Sequence, residues 1–226
     1  NQAKGFVALG LFKDYDDIRN SPKQTFGNYM PGDIKYKDVN GDGIIDDQDQ
    51  VAVGATTVPN LVYGIGVSAQ WKGLDVNVHF QGAGKSSFFI DGEGVRPFAS
   101  GNRGNFYQEV IGGRWISKEE SGTIATENPH AKYPRLSYGY NGNNNRNSSY
   151  WLRNGAYLRL KTLEVGYTLP KKIVNRIHFN NIRIYMIGTN LITWSKFKMW
   201  DPEMNSSNGA TYPLAKSVTV GLNVNL

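Results

Sequence analysis

From Leu61 to Gln81, apolar and polar residues alternate with period two, and the alternation confirms its own register across a two-residue turn. Leu61, Tyr63, Ile65, Val67, Ala69 and Trp71 share one face, and Val62, Gly64, Gly66, Ser68 and Gln70 the other. After Lys72-Gly73 the apolar set is Leu74, Val76, Val78 and Phe80, set against Asp75, Asn77, His79 and Gln81. A hairpin over Lys72-Gly73 pairs Trp71 with Leu74, Ala69 with Val76, Val67 with Val78 and Ile65 with Phe80, all apolar and on one face. A slip of one residue would reverse every side chain, so the pattern constrains pairing as well as strand identity. The same alternation runs through Val218, Val220, Leu222, Val224 and Leu226, and through Ile182, Ile184 and Met186. Between Tyr157 and Leu169 the phase slips from even (Leu158, Leu160) to odd (Leu163, Val165, Tyr167), which a β-bulge near Lys161-Thr162 absorbs. The expected strands are 3–12, 61–71, 74–82, 156–169, 181–191 and 216–226. Helix is confined to Asp14–Asn20 and a turn at Lys171–Arg176 after Pro170.

An all-β chain of this kind can be a soluble sandwich or a transmembrane barrel. Strands of about ten residues suit a tilted bilayer crossing. The polar faces carry Gln, Asn, Asp, His and Gly rather than the Lys/Glu mixture of soluble surfaces. Tyr63, Trp71, Tyr167, Trp194 and Tyr212 fall where interfacial aromatics would stand. Connection lengths add an independent argument. With antiparallel strands, Lys72-Gly73 and Pro170–Asn180 lie at one end, and the long connections 13–60, 83–155 and 192–215 at the other. Outer-membrane barrels sort short periplasmic turns and long extracellular loops in this way. The expected location is therefore the outer membrane, facing lipid, with those three long loops extracellular.

Composition removes several alternatives. There is no Cys, which excludes a disulfide scaffold, thiol catalysis and a Cys-ligated metal. The net charge of +6 is scattered without a basic stripe, so nucleic acid is not an expected partner. Gly64-Ile65-Gly66-Val67-Ser68-Ala69 spells a dinucleotide fingerprint but lies within a strand with no helix after it. His79, His130 and His178 have no metal-ligand spacing, and Glu119-Glu120 and Asp46-Asp47 make poor acid–base pairs. No enzymatic activity is expected. The Asn141–Asn147 run, with Tyr138, Tyr140, Tyr150 and Trp151 nearby, reads as a polar external loop, with sugar contact as the sharper alternative.

Asp38 to Asp49 matches the twelve-residue calcium loop. The expected ligands are Asp38, Asn40, Asp42, the Ile44 carbonyl and Asp49, with Asp46 direct or through water, and Gly43 at the sharp turn. Position 12 is Asp49 rather than Glu, which shortens its reach. Neither flank reads as a helix, so a bound Ca²⁺ would act as a structural clip on a loop rather than as a switch. An Asp/Gly-rich turn without metal is the plain alternative.

Several segments together resemble the C-terminal part of SusC-like (RagA-like) TonB-dependent outer-membrane transporters. They are Pro31–Lys37 leading into the Asp38–Asp49 loop, Phe80-Gln81-Gly82, Arg114-Trp115, Tyr133-Pro134-Arg135-Leu136 and Tyr157–Lys161 with Gly166–Pro170. Thr189-Asn190-Leu191, Trp200-Asp201-Pro202-Glu203 and Gly221–Val224 complete the set. The resemblance implies that residues 1–226 are a C-terminal portion of a barrel of roughly 22 strands with a plugged lumen. It implies nutrient uptake of oligosaccharide or peptide, a SusD-like surface lipoprotein as lid, and energy drawn through TonB by an N-terminal part outside this sequence. On that reading the chain is a piece of a longer protein, because so few strands cannot close a barrel. The alternative function is a secreted, soluble, calcium-stabilised β module that binds carbohydrate.

Overall fold

The computed structural model describes residues 2–103, 105–204 and 206–225. The chain divides into two compact units. One comprises Val58–Ser86, Asn154–Asn205 and Thr211–Leu226, and the other Asn1–Thr57, Ser87–Arg153 and Ser206–Ala210.

The first is a five-stranded antiparallel sheet. Its strands are β1 (Leu61–Trp71), β2 (Leu74–Gly84), β3 (Tyr157–Thr168), β4 (Asn181–Ser195) and β5 (Ser217–Asn225). They lie in the order β5-β4-β3-β2-β1. The hairpin takes the register expected of it, with Trp71 opposite Leu74, Ala69 opposite Val76, Val67 opposite Val78 and Ile65 opposite Phe80. Leu226, the last apolar residue of the C-terminal alternation, lies outside the described residues.

The phase slip in β3 is resolved by an irregularity between Leu160 and Thr162. Leu160 stands opposite Phe80, and Leu163 opposite Val78, so even and odd apolar residues reach the same face. Between these two rows β2 has one residue, His79, β3 has Lys161 and Thr162, and β4 has Thr189, Asn190 and Leu191. Asn190 takes φ +52°, a conformation Asn tolerates better than most residues. The extra residue brings Leu191 over Gly188, where a Cβ would lie 2.7 Å from Leu191 Cδ1. Leu191 thus fills the gap that a glycine leaves in the apolar row.

The strand expected over 3–12 does not form as one strand. Gln2–Gly5 pairs with Val51–Thr56, Ala8–Leu11 pairs with Ile34–Tyr36, and neither joins the five-stranded sheet. The reason is in the side chains: Gly5–Phe12 is apolar at both parities, and its two ends, Gly5-Phe6 and Leu11-Phe12, are buried at adjacent positions of opposite parity. Phe6, Leu11 and Phe12 are all buried, and Phe6 packs against Phe26 (4.8 Å between ring centroids) and Tyr36 (5.3 Å). Around them Ile34, Ile45, Val53, Ile90, Val95, Val110, Trp115, Tyr133 and Trp151 complete the core of the second unit. The short helix Tyr15–Arg19 forms within the expected bounds, because Asp14 caps it by accepting from Asp17 N at 2.7 Å.

Candidate functional site

The two faces of the sheet differ in character. Reading across the strands, Val67, Val78, Leu163, Gly188 and Val218 form one row, and Ala69, Val76, Val165, Met186 and Val220 the next. Trp71, Leu74, Tyr167, Ile184 and Leu222 form a third. These side chains do not pack into a core: Val67 is 62% exposed, Trp71 69%, Val220 72% and Leu222 62%. A soluble protein does not leave such a continuous apolar surface to water. At the opposite limit stand Tyr63, Gly82, Leu158 and Trp194. Tyr63 and Trp71 are eight residues apart on β1, or about 26 Å along the strand, which at the tilt of a membrane strand covers roughly 20 Å of the apolar band of a barrel. Four of the five expected girdle aromatics therefore lie on the two limiting rows. Tyr212 is 90% exposed and lies outside the strands.

The other face is mainly polar, with Val62 and Ile187 among its members. Its rows run Gly64, Gln81, Arg159 and Thr193, then Ser68, Asn77, Glu164, Ile187 and Thr219, then Gln70, Asp75, Gly166, Tyr185 and Gly221. Arg183 ties this face together, with Nη2 2.5 Å from both Asp75 Oδ2 and Glu164 Oε1. His79 lies on this face and is exposed, as expected of a residue on a wet wall. His79, His130 and His178 do not come together with acids into a metal cluster among the described residues. Both short connections, Lys72-Gly73 and the one from Leu169 to Asn180, leave the same end of the sheet, and the long connections leave the other.

The Asp38–Asp49 loop closes through its own side chains. Asp38 Oδ1 accepts from Gly41 N at 2.6 Å and Oδ2 from Gly43 N at 2.8 Å. Asn40 Oδ1 accepts from Asp42 N, Asp42 Oδ1 from Ile44 N, and Asp46 Oδ1 from Gln48 N. Asp49 is wholly buried and accepts from Val39 N (2.7 Å) and Asp46 N (3.0 Å). Burial pushes its carboxyl upward, but the N–H groups of Val39, Asp46 and Asn40 outweigh this and hold it below the ordinary carboxylate range. Of the residues expected as ligands, Asp38, Asn40, Asp42 and Asp46 lie on a largely exposed turn, and among the described residues its acids do not gather into a metal-holding cluster. Asp49 is turned inward and committed to backbone.

No protein-family profile matches the chain. Among curated proteins it is 30% identical, over 97% of its length, to TonB-dependent receptor P26 of Formosa agariphila, and 25% identical over 96% to TonB-dependent receptor P3 of the same organism. The chain is similar to TonB-dependent receptors over nearly its whole length. It spans 22% of the length of each of these two relatives. Among solved structures, the RagAB peptide transporter superposes on the whole chain with a TM-score of 0.69 at 20% identity, the chain covering 23% of it. The "open-open" state of the RagAB peptide importer superposes with a TM-score of 0.66 at 19% identity. These neighbours carry the all-β antiparallel fold.

Two structural devices of this chain were not legible as such in its sequence. The first is a brace of side-chain amides along the free edge of Ile34–Tyr36. Gln24 Oε1 accepts from Tyr36 N (2.7 Å), and Gln24 Nε2 and Asn143 Nδ2 donate to Ile34 O (3.0 and 2.9 Å). Asn144 Oδ1 accepts from Ile34 N (2.9 Å), and Asn144 Nδ2 donates to Asp33 Oδ1 (2.7 Å). The amides replace the strand that would otherwise satisfy that edge. Asp33 also receives Arg135 Nη2 at 3.1 Å, and burial pushes its carboxyl upward against that pull. Asn143 and Asn144 are buried, as are Trp151 and, in good part, Tyr150, so this part of the Asn-rich run is a structural strut rather than a free loop. Tyr138 and Tyr140 are the members of the group left exposed, at 75% and 74%. The second device is Arg159, 1% exposed, which holds both carboxylate oxygens of Asp201 (2.6 and 2.8 Å) and lies 3.3 Å from Glu203. It ties Trp200-Asp201-Pro202-Glu203 back to β3.

Proposed function

We propose that this chain is the C-terminal strand-and-loop portion of an outer-membrane, TonB-dependent nutrient importer, with no catalytic step of its own. The observation that carries the reading is the continuous exposed apolar face, about 26 Å long along the strands and edged by aromatics, on a sheet whose long connections share one end. The sheet's two outer strands supply edges for further strands, which a barrel requires and an isolated sheet in lipid cannot leave open. The polar face then lines the lumen, and the loops expected at 13–60, 83–155 and 192–215 face the exterior. The soluble carbohydrate-binding module is disfavoured, because it would have to bury the same face.

The cargo proposed is oligopeptide or oligosaccharide, delivered under a SusD-like lipoprotein lid and moved by energy from TonB. A peptide transporter among the structural neighbours favours peptide. The full-length receptor should fractionate with outer membranes, require detergent for extraction and co-purify with a lipoprotein. A strain lacking it should lose uptake of labelled oligopeptides. Recovery of the protein in the soluble fraction, or unimpaired uptake of both peptide and glycan, would sink the reading.

Calcium is proposed as a loop clip held by Asp38, Asn40, Asp42, the Ile44 carbonyl and Asp46, with Asp49 acting from behind as a backbone cap. The twelve-residue spacing supports it. Calorimetric titration of the full-length receptor should detect a calcium site that Asp42→Ala abolishes while the barrel still assembles. An unchanged heat signal in that variant would leave only the turn.

A further inference from the structure

The end of the sheet that carries the short connections has a charge and shape that the importer reading does not use. Lys72-Gly73 and the stretch from Leu169 to Asn180 contain Lys72, Lys171, Lys172 and Arg176 and no Asp or Glu. All four basic residues are exposed. The acids on the five strands are Asp75 and Glu164, both on the polar face and both engaged by Arg183. Nothing anionic in these connections therefore opposes the four cations.

The same connections also expose apolar side chains. Lys171–Val174 is a turn of α-helix continued by a 3₁₀ turn, Asn175–Ile177. Val174 is buried and anchors it, while Ile173 and Ile177, one helical turn apart, are 51% and 49% exposed. Beside them the limiting apolar row holds Trp71 and Tyr167, and Lys72 Nζ sits 4.8 Å from the centre of the Trp71 ring. Apolar side chains next to cations, continuous with an apolar band, are the signature of a segment lying in a membrane interface. Basic residues at such a surface are drawn to anionic headgroups.

We propose that this end is a docking surface for anionic phospholipid in the leaflet it meets, with Lys72, Lys171, Lys172 and Arg176 on the headgroups and Ile173 and Ile177 dipping among the acyl chains. This rests on the membrane reading above. The full-length receptor, purified in detergent, is reconstituted into nanodiscs of phosphatidylcholine alone or with phosphatidylglycerol, and its thermal unfolding is followed. The expected result is a higher midpoint with phosphatidylglycerol. A variant with all four cations changed to Gln should lose that difference while matching the wild type in phosphatidylcholine. In an Ile177→Trp variant, brominated phosphatidylglycerol should quench the new fluorescence. No phosphatidylglycerol preference in the wild type, or the same preference in the Gln variant, overturns the proposal. So does a midpoint shift reproduced by free glycerol phosphate, which would mean a small-anion site. A receptor that needs no detergent or lipid would fail the membrane reading itself, a distinct result.

Discussion

Asp49 is where the residue scale matters most. Its carboxylate is buried, and the backbone N–H groups of Val39, Asn40 and Asp46 hold it. Its folded-state pKa lies below the ordinary carboxylate value. The stabilisation is therefore fully present above about pH 4 and fades as pH falls through the folded pKa. Asp49→Ala leaves these donors unpaired and should cost about 1–2 kcal/mol locally. The check is amide exchange across residues 38–50 in the full-length receptor: protection should drop in the variant, and in the wild type on acidification below that range. Exchange indifferent to both would remove Asp49 from its role. Arg159 makes the same point with charge. Arg159→Ala removes the buried cation that one Nη2 shares among Asp201 Oδ1, Asp201 Oδ2 and Glu203, so proteolysis within 196–205 should accelerate while the strands stay intact.

At the scale of elements, register is held by apolar pairing and by small residues opposite large ones. The Tyr63 ring covers Gly82, where an added Cβ would lie 2.4 Å from Tyr63 Cζ, and Tyr63 Oη donates to Tyr157 O at 3.1 Å. Gly82→Ala must displace that ring and should cost about 1–3 kcal/mol. The double change Gly82→Ala with Tyr63→Ala should recover part of the loss, read as the heat needed to abolish the fast-migrating folded form on gels. Equal additive losses would mean that ring and glycine do not interact. The bulge at Lys161 works on the same principle. Without it, either Leu158 and Leu160 or Leu163 and Val165 would turn to the polar face.

For the whole molecule, the two faces of the sheet should respond oppositely to the same insult. Val67, on the middle apolar row, and Ser68, its neighbour on the polar wall, differ only in the side they face. Val67→Arg should destabilise the inserted full-length receptor by about 2–4 kcal/mol, the cost of a cation near the bilayer midplane. Ser68→Arg should be nearly neutral. Folding titrations into liposomes measure both, and equal penalties would mean that the apolar face is not in lipid.

The hairpin at 61–84, the bulge at Lys161 and the sorting of short and long connections were all legible in the chain, because period-two burial imprints a strand on its own residues without reference to distant ones. The resemblance to TonB-dependent transporters was legible for the related reason that its motifs cluster on strand ends and loop anchors. What tertiary structure alone decided was the fate of segments whose partners are remote. Residues 3–12 were apolar enough for a barrel strand, and only their burial against Phe26, Tyr36 and Ile34 broke them into two pieces of the loop unit. The Asn141–Asn147 run read as solvent-facing polarity, because an amide that satisfies a backbone edge more than 100 residues away looks, in sequence, like any other Asn. Periodicity reports which way a side chain points; only the fold supplies the group it meets.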